Sequence, residues 1–287
     1  MNRILTHNRN LTQRIGFALI TIMAFATVIP IVAVVIYILI QGWSAISVEF
    51  LTTFPTNGMR EGGIYPAIIG TVVLTMVASI FAVPLGIAAA IYLAEYAKDT
   101  KLTRTIRIAI INLAGIPSVV YGLFGLGMFV LFFQFGTSIL AASLTLAIMT
   151  LPVVISTAEE ALRAVPQAFR TVSISLGATR WQTIRRIILK EALPGILTGV
   201  ILGLERAAGE TAPILFTGAV FFLPSLPQSL LDPTMALPYH LFVISTQIPE
   251  MPLDIQYGTA LVLLVFVLTL NLIATVIRSR ARAKRQW

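Results

Sequence analysis

The chain has 287 residues, of which 57% are hydrophobic and only 11% charged, with a mean hydropathy of +0.91, outside ordinary soluble usage. A soluble fold is excluded because uncharged runs here exceed the usual helix lengths of globular proteins, and the lack of cysteine excludes a disulfide scaffold or a Cys-based metal or redox site. The net charge of +8 lies in short segments beside apolar runs, where it reports membrane topology and no nucleic-acid role.

About 20 apolar residues cross a bilayer as a helix, and six candidate spans can be drawn on that rule. Ile15 to Ile40 is uncharged and lacks a small-residue cleavage pattern, which predicts an anchor and not a removable signal. Tyr65 to Ala94, uncharged for 30 residues, is long enough to tilt. Ile108 to Ala158 carries no charge over 51 residues, enough for two crossings, with a turn at Gln134, Gly136, Thr137 and Ser138. The fifth span is expected at about Gly195 to Leu223 and the sixth at about Tyr257 to Ile277. Residues 1–60 then form a tail, the first span and an outer loop. Residues 61–278 form the core, with a cytoplasmic loop at 159–193, and 279–287 a basic tail.

Eighteen of the twenty basic residues fall on one side of these spans; only Arg60 falls on the other, and Arg206 lies inside the fifth. The positive-inside rule therefore predicts both termini in the cytoplasm and an even number of spans. Glu49, Glu61, Asp232, Glu250 and Asp254 fall in the outer loops. The last outer loop, Pro224 to Gln256, carries six prolines, which predicts a structured cap or short re-entrant turns. It serves either as a contact for a partner or as a plain connector.

The loop from Glu159 to Leu193 departs from a simple tether. Val165-Pro166 interrupts the fourth helix, since the residue before proline is driven out of the helical region. Phe169, Val172 and Leu176 then recur on one face of a short helix that Gly177 ends. Thr179 and Gln182 have the spacing of a capping box, opening a third helix with Trp181, Ile184 and Ile188 on one face and Arg185 and Arg186 turned away. Two readings fit this periodicity. The helices lie among lipid headgroups, or the hinge end projects into a partner's groove.

In the fifth span, Arg206 and Glu210 are spaced for one helical face at hydrocarbon depth, where a lone charge costs roughly 2.5 to 3.5 kcal/mol. With Glu205 they must face protein or a watery cavity. Gly195, Gly199 and Gly203, four residues apart, predict close packing of this span inside the bundle. Arg206 and Glu210 either neutralise each other or present a cation to a passing anion, for which a planar guanidinium suits phosphate. Glu205, about 100 degrees round the helix, is expected against a neighbouring helix or partner subunit.

The loop resembles the cytoplasmic coupling motif of ATP-binding-cassette importer permeases at Arg170 to Ser173, Gly177, Ala178-Thr179-Arg180-Trp181, Ile187 and Leu193-Pro194. It departs from the motif where Thr171, Val172 and Ser173 replace Glu-Ala-Ala and Lys190 replaces a proline. Three further segments resemble the phosphate-importer permeases: Gly62 to Thr71, Ala114-Gly115-Ile116-Pro117-Ser118-Val119-Val120-Tyr121-Gly122-Leu123-Phe124-Gly125, and Arg206-Ala207-Ala208-Gly209-Glu210-Thr211-Ala212-Pro213. The resemblance implies an all-α polytopic permease of the type I importer fold in the bacterial inner membrane. Its implied partners are a homologous second permease subunit, a dimeric ATP-binding subunit and a periplasmic phosphate-binding protein. It implies that Arg170, Leu176, Gly177, Ala178, Thr179, Arg180 and Trp181 couple to the ATPase; Arg206, Glu210 and Glu205 are the candidate substrate-pathway residues by their charge within the fifth span.

The sequence holds no G-x-x-x-x-G-K-[ST] phosphate-binding loop, so ATP is expected to be hydrolysed by a partner. His7 and His240 fall on opposite sides of the predicted membrane and cannot cooperate; no catalysis, metal or cofactor is expected. The competing readings are a permease for another oxyanion, a gradient-driven secondary transporter with Glu205 and Glu210 as ion sites, and a non-transporting scaffold.

Overall fold

The computed structural model describes the backbone of residues 2–283 and the side chains of residues 13–280. Lys284 and Arg285 of the basic tail lie outside the described residues. The elements in chain order are α1 (Asn2–Gly42), α2 (Val48–Thr52), β1 (Pro55–Thr56), β2 (Glu61–Gly62), α3 (Tyr65–Ile91), α4 (Lys101–Ala114), α5 (Ser118–Gly125), α6 (Ile139–Arg163), α7 (Gln167–Ser175), α8 (Arg180–Thr183), α9 (Leu189–Gly209), α10 (Ala212–Leu215), α11 (Leu237–Thr246) and α12 (Leu253–Ala283). π-helical turns at Tyr92–Tyr96, Leu126–Phe132 and Ile184–Ile188 extend α3 and α5 and join α8 to α9. Among the described residues, five helices are long and apolar enough to cross a membrane, and the stretch Ser118–Phe132, bent by 100° from α4, is the candidate for a sixth crossing.

The bundle is built on α6, whose small residues let neighbours approach closely. Ala141, Ala142, Ser143, Thr145, Ala147 and Ala158 are all buried there. On one side lies α3, where a Cβ on Gly86 would run into Val154 of α6. On the other lies α9, which meets α6 along the predicted glycines: Gly195 against Ala161, Gly199 against Thr157 and Gly203 against Val154. α12 closes the far side of α9. α1 is peripheral, touching α12 through the edge-to-face pair Tyr37 and Tyr257, with ring centroids 5.5 Å apart.

The end of the bundle that the charge pattern assigns to the outside is sealed by irregular backbone whose polar groups are paired, as burial away from water requires. The first turn of α6 donates from Ser138, Ile139 and Leu140 to the carbonyls of Thr217, Asp232 and Leu230 at 3.0, 2.8 and 2.8 Å. The Leu237 N–H donates to Thr71 Oγ1 at 2.8 Å, fixing α11 on α3. The proline-rich loop is thus a cap containing one helix, with His240 buried inside it. β1 and β2 form a small antiparallel hairpin in the first outer loop that the sequence reading did not anticipate.

Two predicted spans are corrected. The third does not start at Ile108: α4 and the stretch Ser118–Phe132 meet at 100°. Pro117 keeps Ile116 out of the helical region, and Gly115 ends α4 in front of it. The fifth does not run from Gly195 to Leu223. Its helix begins at Arg180 and ends at Gly209, where Glu210 turns extended at φ −81°, ψ 130°. The expected third loop helix is therefore the inner end of the fifth span, carried through the π turn, and Pro194 lies within α9.

The glycine face makes a direct prediction. Gly199→Val drives a side chain into Thr157 Oγ1, and overpacking of this kind costs about 1–3 kcal/mol. Thermal unfolding in detergent should show a lowered Tm, whereas Gly127→Ala, with nothing within 4 Å of its added carbon, should leave Tm unchanged.

Candidate substrate pathway and docking site

α6 has 25 residues, a rise of about 38 Å at 1.5 Å per residue. Gly203 faces Thr150 and Val154 at the middle of that helix, so Arg206, one turn further outward, lies near mid-depth of the bundle. It occupies the last turn of α9, where a cation meets the negative end of the helix dipole. Arg206 Nε donates to Glu210 Oε1 at 3.5 Å, a long contact from a residue just past the helix end. Both side chains are partly exposed, 28% and 22%, so the pair lines an accessible surface.

The two membrane segments that carried the family resemblance meet at this break. A Cβ on Gly122 would touch Phe216, the Ala212 carbonyl and Pro213, so α5 lies directly against α10. Gly125 likewise lies against Thr145 and Thr217. Tyr121 packs in the same core cluster as Ala207 and lies within electrostatic reach of Arg206. Its hydroxyl donates to the Leu113 carbonyl at 2.8 Å, tying the end of α4 to the site. Sequence reasoning did not single out Tyr121 for the pathway; its position inside the third-span signature was the available signal. Glu205 points elsewhere. Its polar neighbours are Asn271 and, further along α12, Arg278, and its Oε1 is buried without a hydrogen bond.

At the end that carries the loop, the Gly177 stop and the Thr179 capping box form as expected, but Trp181 is exposed while Ile184 and Ile188 are buried, so the three do not share the predicted face. α7 starts after Pro166 and ends in a Schellman motif: the Gly177 N–H donates to the Ile174 carbonyl at 2.9 Å and the Ala178 N–H to Ser173 at 3.2 Å. That turn needs a left-handed residue, and Gly177 has φ +86°. The Thr179 and Gln182 capping box is complete, with bonds of 3.3 and 2.9 Å. Leu176 is 83% exposed and Trp181 54% exposed, flanking the hinge. Ala168, Phe169, Val172, Leu176, Ala178 and Ile187 line an apolar groove beside it. Ile184 and Ile188 face the opposite way and are buried. The Arg180 guanidinium lies 5.0 Å from the Tyr96 ring centre, a cation–π contact.

Arg170 differs from the other coupling candidates. Its Nη2 donates to Glu95 Oε1 at 2.6 Å, and its Nε reaches both Glu95 oxygens at 3.2 Å. Its remaining donors go to the carbonyls of Val165 and Leu162 at 2.8 and 2.9 Å. This partly buried guanidinium therefore pins α7 to the end of α3 while capping the C-terminus of α6. A second node stands beside it, where Arg107 and Arg163 both donate to Glu159 Oε1, at 2.8 and 2.9 Å, and Arg107 also bonds the Leu93 carbonyl. Neither Glu95 nor Glu159 was singled out from the sequence, although an acid at the end of an apolar helix calls for a partner.

A chain with crossing helices packed on a small-residue core, a helix broken at mid-depth beside an ion pair, and a capped loop helix at the inner end is a multi-pass membrane permease. Residues 82–284 match the family described as binding-protein-dependent transport system inner membrane component. The chain belongs to that family, the inner-membrane permease subunits of ATP-binding-cassette importers, whose members work with an ATPase subunit and a substrate-binding protein. It is 34% identical to the phosphate transport system permease protein PstA 1 of Mycobacterium tuberculosis, over 99% of this chain and 93% of that one. It is 32% identical to the probable ABC transporter permease protein YqgI of Bacillus subtilis, over 93% and 95%. The fold is similar to solved structures of the MetNI methionine transporter, with a TM-score of 0.61 at 18% identity over 75% of this chain and 94% of that one. It is also similar to a bacterial alginate transporter, with a TM-score of 0.59 at 18% identity over 90% and 94%.

Removing one side of a buried ion pair costs about 3–5 kcal/mol. Arg170→Ala and Glu95→Ala should each destabilise the protein on that scale, and the double variant should lose little more than either. A double-mutant cycle by thermal unfolding measures the coupling, and additive losses would show that the two do not act together.

Proposed function

We propose that this chain is the permease subunit through which an ATP-driven importer moves inorganic phosphate, with Arg206 as the cation that the anion meets in transit. The observation that carries this reading is the guanidinium at mid-depth, partly exposed, held by Glu210 through one 3.5 Å contact. A loose pair leaves donors of the planar fork free for two oxygens of an oxyanion, and Glu210 competes for the same donors so that the anion can leave. The relatives named phosphate transport system permease support phosphate as the cargo.

In this reading the α7 hinge, with Leu176, Gly177, Ala178, Thr179, Arg180 and Trp181, receives a dimeric ATP-binding subunit. Arg170 acts behind it by holding α7 in place. A homologous second permease subunit completes the pathway, and a periplasmic phosphate-binding protein docks on the outer cap. Both termini lie in the cytoplasm, as the basic residues call for.

Arg206→Gln should reduce phosphate uptake in reconstituted vesicles by about 30-fold or more, with assembly and basal ATP hydrolysis retained. Unchanged uptake would sink the role of Arg206. Gly177→Val forces a β-branched residue into a left-handed conformation. It should leave transport slow while ATP hydrolysis continues, and a normal ratio of phosphate moved to ATP hydrolysed would contradict docking at this hinge.

A further inference from the structure

α4, 14 residues long, does not continue the direction of the stretch that follows it. Its 100° bend from Ser118–Phe132 lays it near the membrane plane when that stretch stands across the bilayer. Its face toward the bundle carries buried Thr103 and half-buried Arg107 and Ile110. Roughly a quarter turn away, Leu102, Ile106 and Leu113 form a stripe at helical spacing, 70%, 40% and 41% exposed among the described residues. On the other side of that stripe stand Lys101 and Thr105, then Arg104, flanked by exposed Ile108 and Ile111, with Lys98 just before the helix. Asp99 is the acid on this turn. It reaches Arg104 at 3.7 Å, with both side chains more than 70% exposed, so the pair is weak and an excess of positive charge remains.

We propose that α4 is an in-plane membrane helix, its Leu102, Ile106 and Leu113 stripe among acyl chains and its Lys98, Lys101 and Arg104 on the headgroups of anionic phospholipids. Apolar residues on one face with lysine and arginine beside them is the pattern of an interfacial helix. Lysines are depleted in the cores of protein interfaces, which argues against a protein occupant. Since the Tyr121 hydroxyl holds the Leu113 carbonyl, the lipid-seated helix is joined directly to the site near Arg206. The inference does not depend on which solute is carried.

The natural sequence has no cysteine, so single labels can be placed cleanly in the complete importer reconstituted with its partner subunits. Leu102→Cys and Thr105→Cys are each labelled with bimane. Lipid brominated on the acyl chain should quench the label at 102 and spare that at 105, and aqueous iodide should do the reverse. Brominated phosphatidylglycerol should quench at 102 more than brominated phosphatidylcholine, and that preference should fall by up to about fivefold for each of Lys101→Gln and Arg104→Gln. Iodide reaching position 102 would overturn the proposal. So would a label at 102 reached by neither quencher, which would mean that a partner protein covers the stripe. Equal quenching by the two lipids would overturn the anionic selectivity.

Discussion

A guanidinium halfway through a membrane protein has no water to solvate it unless the fold supplies a cavity and counter-groups, and much of this structure can be read as the answer to that demand. The Gly195, Gly199 and Gly203 face draws α9 into the centre of the bundle, so that Arg206 leaves the lipid boundary. The helix then stops at Gly209, and its terminal carbonyls give the arginine a favourable end dipole. Irregular backbone at this depth survives only where protein or a water-filled path surrounds it. Here α5 presses Gly122 against α10 and Gly125 against α6, and the cap pairs the first N–H groups of α6.

The inner end follows a different rule. Charges there sit at the margin, where burial is less costly, and they are used as fasteners. Glu95 and Arg170 join α3 and α7 at the end of α6, while Arg107, Glu159 and Arg163 join α4 to it. The exposed hinge at Gly177 is thus mounted on α3 and α6, the two helices that pack most closely.

Much of the fold could be read from residue order. Four of the helices, α1, α3, α6 and α12, coincide in large part with charge-free runs, and the Thr179 capping box and the Gly177 stop are local codes that tertiary contacts do not override. Span ends were less legible because hydropathy does not register backbone breaks. Ile108 to Ala114 is as apolar as a crossing, yet Pro117 turns it aside, and the apolar run after Gly209 is not helical beyond a single turn. At the site, Arg206 and Glu210 stood out by charge. Tyr121, Glu95 and the inward use of Arg170 depend on which helices meet, and no local pattern encodes that. Arg170 in particular reads as a surface cation from its neighbours in sequence, and it is drawn inward because the ends of α3 and α6 converge on it.

In the proposed function, Arg206 lines an aqueous path shared with the transported anion. Arg206→Cys in the otherwise cysteine-free chain, assembled with its partner subunits in vesicles, tests it most directly. During ATP turnover the thiol should react with a small water-soluble methanethiosulfonate. Phosphate should slow that reaction, and attaching an aminoethyl group should restore part of the lost uptake by returning a positive charge. A thiol that stays unreactive throughout turnover, or reacts at a rate indifferent to phosphate, would contradict it.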